Sequence, residues 1–141
     1  MMIEKEYDHW KATSAKKEVR HYTWYHVNEF VDELEKQIRQ AKYHYDLIAG
    51  IARGGLIPAV MLSHRLNIPM MSINKRTLIP IKQRCLVIDE IYDTGETVKS
   101  IKEVNPHVHI GVLLHNEALP DLNYFAIKDP LKKWIVFPWE E

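Results

Sequence analysis

The sequence predicts an α/β domain built on a mostly parallel, twisted sheet flanked by helices. Short apolar runs at 45–51, 84–89 and 109–114 have the length of strands and lack polar alternation, as strands buried on both faces do. Stretches with apolar residues three and four apart lie between such runs. Strand-like and helix-like segments alternate along the chain, the pattern of a parallel sheet whose crossover helices cover it.

Residues 1–20 mix lysine and glutamate with few aliphatics, so 1–22 is expected to be an arm preceding a domain at 23–141. Thr23 is a good N-cap, and Val27, Phe30, Val31, Leu34 and Ile38 mark one face of a helix running to about Lys42. A buried strand at 45–51 leads into a helix at 56–66, where Pro58 falls in the first turn and its missing N–H costs nothing. Strands are expected at 69–73 and 84–89. A helix at 97–104 should stop before Asn105-Pro106. Another buried strand covers 109–114, and shorter ones at 124–127 and 134–137 are separated by Pro130. No repeat, low-complexity tract or linker divides the chain.

The length of 141 residues suits one domain with one core. Lysine plus arginine and aspartate plus glutamate number 19 each, so no net field attracts the chain to nucleic acid or an anionic membrane. Cys85, the single cysteine, sits in an apolar run and cannot form an intramolecular disulfide, which fits a reducing compartment. The first twenty residues carry no apolar signal core and no later segment is long enough to span a bilayer, so a cytoplasmic protein is expected.

In an open parallel sheet the ligand crevice lies beyond the carboxyl ends of the strands. Two such places stand out. After the strand ending at Ile51, Ala52-Arg53-Gly54-Gly55 makes a tight turn into a helix whose bare backbone suits an anion, with Arg53 as a fixed charge; a plain strand-to-helix turn has the same residues. After Leu86-Val87-Ile88 come two adjacent acids, Asp89 and Glu90, then Ile91-Tyr92 and Asp93-Thr94-Gly95-Glu96-Thr97 opening a helix. Adjacent acids repel and resist burial, so they need an outside partner such as sugar hydroxyls or a divalent cation. The hydroxyls of Thr94 and Thr97, with amides from Gly95 onward, make a cup at a helix N-terminus that fits a phosphate monoester, with Glu96 directed outward.

These residues resemble the sugar-diphosphate motif of the type I phosphoribosyltransferases: an apolar strand, two acids, two apolar residues, then Asp or Thr, Thr-Gly, a small residue and Thr. The run Ala52-Arg53-Gly54-Gly55-Leu56-Ile57-Pro58 and the ending Lys133-Trp134-Ile135-Val136-Phe137-Pro138-Trp139-Glu140 look like the bacterial xanthine-guanine (hypoxanthine) branch. The resemblance covers most of the chain after Thr23. It implies the type I phosphoribosyltransferase fold and transfer of a 5-phosphoribosyl group from 5-phosphoribosyl-1-pyrophosphate to a 6-oxopurine, with Mg2+ and in a homo-oligomer. It also implies roles. Asp89 and Glu90 would hold the ribose hydroxyls and help place magnesium; Asp93, Thr94, Gly95, Glu96 and Thr97 would form the 5-phosphate loop. Ala52, Arg53, Gly54 and Gly55 would face pyrophosphate, with a cis Ala52-Arg53 peptide. Asp93 would sit near N7 of the base, and Asn116, Trp134 and Ile135 would contact the base itself.

Three positions depart from that pattern. Glu96 stands where a small residue is usual. Only 74–83 lies between the flanking strands, so the flexible hood loop is shortened and an open site is expected to turn over more slowly. Asn116 falls where the family keeps a lysine, and an amide can accept as well as donate. Other features carry blander readings. His107 and His109 could share a strand face, but no third ligand makes a zinc site, and Lys75, Arg76, Lys82 and Arg84 read as a solvated turn. Two alternatives keep the same scaffold: a nucleotide- or sugar-diphosphate-binding regulator with little turnover, and an RNA-binding regulator, against which the neutral charge argues.

Overall fold

The computed structural model describes residues 18–116, 120–130 and 133–141. The order is β1 (Val19–His21), α1 (Trp24–Ala41), β2 (Leu47–Ile51), α2 (Leu56–Leu66), β3 (Met70–Ile73), β4 (Cys85–Tyr92), α3 (Glu96–Val104), β5 (His109–His115), β6 (Tyr124–Lys128), β7 (Trp134–Val136) and a closing 3-10 turn, Pro138–Glu140. Among the described residues, one parallel sheet runs β3-β2-β4-β5-β6, and β1 pairs with β7 in a separate parallel ribbon. The expected architecture is the observed one.

Alternating strand residues face opposite sides of the sheet, and two cores result. Ile48, Leu86, Ile88 and Leu113 face α1 and α2, meeting Val27, Leu34 and Leu62. Ala49, Val87, Ile110 and Val112 face the other way and meet Val98 and Ile101 of α3. Thr23 caps α1 as its sequence indicates: His26 N–H donates to Thr23 Oγ1 at 3.3 Å, and Thr23 N–H donates to His26 Nδ1 at 3.0 Å.

The boundaries differ where pairing overrides local signals. β4 continues three residues past the expected end at Asp89, because Ile91 and Tyr92 stay paired with Leu114 and His115 of β5. The two acids therefore lie inside the strand, not after it. Val19–His21, at the end of the expected arm, form β1, and Tyr22 is buried. Three residues are too few to show a strand period in the sequence. Tyr22 Oη donates to the buried Asp129 at 2.6 Å, joining the ribbon to the main sheet. Residues 1–17 of that arm lie outside the described residues.

The short loop between β3 and β4 is fastened near its far end. The buried Asn105 accepts Ile81 N–H at 2.7 Å and donates to the Ile79 carbonyl at 3.0 Å. Among the described residues, no helix is long and apolar enough to cross a membrane.

Candidate active site

β4 is the central strand, with β2 and β5 on either side, so its carboxyl end is where the neighbouring loops converge. Asp89 and Glu90 are adjacent there and, by strand alternation, point to opposite faces. Asp89 Oδ1 accepts the Glu90 N–H at 2.8 Å. Both acids are partly exposed, yet protein surrounds them enough to disfavour ionisation. Burial pushes Asp89 up to about 6, against the opposing pull of the Glu90 N–H and of Lys75. Burial, then the charges of Asp89 and Glu140, push Glu90 up to about 8. Lys75 is exposed on the short loop, as expected of a solvated turn, and its charge opposes both upward shifts.

The Ala52-Arg53-Gly54-Gly55 turn is packed directly onto this strand. The Ala52-Arg53 peptide is cis. A methyl group at Gly54 would overlap the Glu90 carboxylate, and one at Gly55 would strike the Ile88 carbonyl and the Asp89 backbone. Ala52 and Gly55 donate their amides to the Ile73 and Ile51 carbonyls, each at 2.9 Å, so these two residues shape the turn. Arg53 is exposed at its tip.

The Asp93–Thr97 loop turns through Gly95, whose φ of 83° is left-handed and whose bare face rests on the Tyr92 hydroxyl. Glu96 N–H donates to Thr94 Oγ1 at 3.4 Å, and the Glu96 side chain is exposed, as expected. Asp93 Oδ1 accepts from Asn116 Nδ2 at 3.1 Å, joining two residues singled out for the base.

A cavity of about 260 Å³ gathers Glu90, Asp93, Trp134 and Ile135 with two residues not singled out beforehand, Lys133 and Glu140. A 3-10 turn of three residues leaves no periodic signal, which is why Glu140 was not read from the sequence. Thr94 and Gly95 line a neighbouring cleft of about 460 Å³ that also holds Lys99. Asp89 and Thr97 border neither space. A larger cavity of about 570 Å³, bounded by Lys42, Tyr43, His44 and Asn67, lies at the opposite end of the sheet and contains none of these groups.

No family model matches the sequence. A xanthine-guanine phosphoribosyltransferase of Nitratidesulfovibrio vulgaris (strain DP4) is 27% identical over 135 residues, spanning 84% of this chain and 82% of its own. Among solved structures, a purine phosphoribosyltransferase of Pyrococcus horikoshii Ot3 is 33% identical with a TM-score of 0.69, matched over 88% of this chain and 95% of its own. The chain belongs to the type I phosphoribosyltransferase family. A Helicobacter pylori xanthine-guanine-hypoxanthine phosphoribosyltransferase shares the fold, with a TM-score of 0.72 at 23% identity over 86% of this chain and 93% of that one. As a phosphoribosyltransferase the chain is an enzyme of the glycosyl-transferring class.

Proposed function

We propose that this phosphoribosyltransferase moves the 5-phosphoribosyl group of 5-phosphoribosyl-1-pyrophosphate onto a 6-oxopurine: guanine, xanthine or hypoxanthine. The observation that carries the reading is the cavity that puts Glu90 and Asp93 against Trp134 and Ile135, one residue from the Thr94–Gly95 cleft. A nucleotide laid across both spaces has its base between the ribbon and β4, its ribose at the acids and its phosphate at the threonine loop.

The reaction breaks the bond from the anomeric carbon to pyrophosphate and forms one to a ring nitrogen of the base. Positive charge develops on the ribose in the transition state, and positioning supplies much of the rate. Asp89 and Glu90 hold the ribose hydroxyls. Thr94, Gly95, Glu96 and Thr97 hold the 5-phosphate through hydroxyls and helix-terminal amides. Arg53 and Gly54 face the leaving pyrophosphate, Ala52 and Gly55 keep that turn in shape, and Lys75 adds charge from the short loop. Asp93 accepts the proton that the base loses at N7 while Asn116 steadies its carboxylate. Trp134 and Ile135 flank the base.

Asp89 and Glu90 are adjacent oxygen-only donors on opposite faces of β4, where burial disfavours their charge, and either carboxylate fits a hard divalent cation. Among the described residues no cluster of three or more metal-ligating side chains occurs, so substrate oxygens would complete the shell of a magnesium ion held there. Bound magnesium supplies charge stabilisation to the departing pyrophosphate. The reading extends to a cytoplasmic homo-oligomer; the exposed Trp24, whose ring meets Trp139, and its exposed neighbour Tyr25 offer aromatic surface for a second copy.

The test is product formation with the sugar diphosphate, magnesium and, in turn, guanine, xanthine, hypoxanthine, adenine and uracil. A mononucleotide and pyrophosphate in equal amounts from an oxopurine is the expected result; none from any base overturns the reading. Asp93→Asn should lower kcat by about a hundredfold or more with nucleotide affinity changed far less. Equal loss of both would contradict its role at the base.

A further inference from the structure

The base cavity lies between two bodies. Glu90, Ile91 and Asp93 wall it from β4 and the loop that follows, and Trp134, Ile135 and Phe137 wall it from the ribbon end. Among the described residues, β1 and β7 pair with each other and with no strand of the main sheet. The width of the cavity is therefore set by the loops and side chains that reach from ribbon to sheet. Ile135 and Phe137 do so by apolar packing, which is not directional and fixes no distance closely.

Tyr22 and Asp129 do so through a directional bond. Tyr22 follows β1, and its N–H donates to the Val136 carbonyl at 2.9 Å, which locks its backbone to the strand carrying Trp134 and Ile135. Its ring meets Phe30 edge-on at 5.1 Å and stacks on Phe137 at 6.0 Å, so the hydroxyl is held in place. That hydroxyl donates to Asp129 at 2.6 Å, and both residues are buried. Asp129 follows β6, and its N–H donates to the carbonyl of His115, the residue before Asn116, at 2.8 Å. Asn116 donates its own N–H to the Tyr92 carbonyl at 3.3 Å and its side-chain amide to Asp93 at 3.1 Å. The ribbon wall and the β4–β5 wall are thus joined through Tyr22 and Asp129, and neither residue borders the cavity.

Resting on the purine phosphoribosyltransferase reading, we propose that Tyr22 and Asp129 are positioning residues for the base: their bond sets how far Trp134 and Ile135 stand from Asp93 and Asn116. The groups assigned to the sugar diphosphate all belong to the main sheet and its loops, so the bond bears on one substrate and not on the other. A base held at the wrong distance loses its approach to the anomeric carbon although every group that touches it is present.

The experiment measures steady-state kinetics of wild-type protein, Tyr22→Phe and Asp129→Asn with the sugar diphosphate, magnesium and each of guanine, xanthine and hypoxanthine. Phenylalanine keeps the ring against Phe30 and Phe137 and removes the donor. Asparagine keeps an oxygen that accepts from the Tyr22 hydroxyl. In Tyr22→Phe the KM for the base is expected to rise about tenfold, with the KM for the sugar diphosphate within about twofold of wild type. Asp129→Asn should stay within about threefold of wild type on both. A merely structural role would shrink the active fraction, lowering kcat and leaving both KM values where they were; that result overturns the inference. An equal rise in both KM values, or an Asp129→Asn protein as impaired for the base as Tyr22→Phe, also overturns it. So does either variant failing to fold, since the bond would then hold the molecule and not the cavity. If wild-type protein consumes no base, the transfer reading falls and takes this inference with it; turnover with an unshifted base KM in Tyr22→Phe removes only the positioning role.

Discussion

Gly54 and Gly55 are neighbours of one residue type with different neighbours in space, and substitution separates them. A Gly54→Ala methyl displaces the end of a flexible side chain, the Glu90 carboxylate, and leaves the backbone in place. Melting temperature should change little while affinity for the sugar diphosphate falls about tenfold or more. Gly55→Ala presses on the backbone of Ile88 and Asp89, and overpacking there should cost about 1–3 kcal/mol in denaturant unfolding. Titration is a second residue-scale consequence. Asp89 and Glu90 are raised to about 6 and about 8, so the folded protein retains protons that the unfolded chain has already released. Stability follows the difference in bound protons, and it should therefore fall as pH rises from about 4 to about 8 in the free protein. Thermal unfolding across that range checks the sign; rising stability contradicts it. The acids, the glycine turn and the threonine loop were legible as residues because their chemistry is local. The closeness of Gly54 to Glu90 was not, since it depends on a turn that only the folded sheet brings against β4.

Helices and strands with a clear period were legible to within a few residues. α2 was expected at 56–66 and occupies Leu56–Leu66, since its apolar face and the proline in its first turn agree. β4 was expected to end at Asp89, because adjacent acids look like a strand end, but pairing of Ile91 and Tyr92 with β5 carries it to Tyr92. β1 has three residues, and its partner β7 lies more than a hundred positions away, so no window along the chain could pair them. The loop between β3 and β4 was expected to be short, and its fastening to Asn105 adds a constraint the sequence does not display. Asn105→Ala would leave the Ile81 N–H and the Ile79 carbonyl without that partner. A loss of about 1–3 kcal/mol in chemical denaturation is expected, together with faster amide exchange at Ile81. A neutral substitution would mean that the loop is held by other contacts.

For the whole molecule, the sheet order puts β4 at the centre, and the groups proposed for the reaction are delivered to its carboxyl end by separate elements. The glycine turn arrives from β2, the threonine loop from β4 itself, Asn116 from the end of β5, and Trp134 and Ile135 from the ribbon clasped to the core through Tyr22 and Asp129. The central claim is that the adjacent, partly exposed acids Asp89 and Glu90 are where this assembly grips the sugar diphosphate. Calorimetric titration of 5-phosphoribosyl-1-pyrophosphate with magnesium into wild-type protein and into the double variant Asp89→Asn/Glu90→Gln tests it most directly. The account expects wild-type binding and a loss of at least about tenfold in a double variant that is folded and no less stable, because two disfavoured charges have been removed. A double variant that binds the sugar diphosphate as tightly as wild type would contradict it.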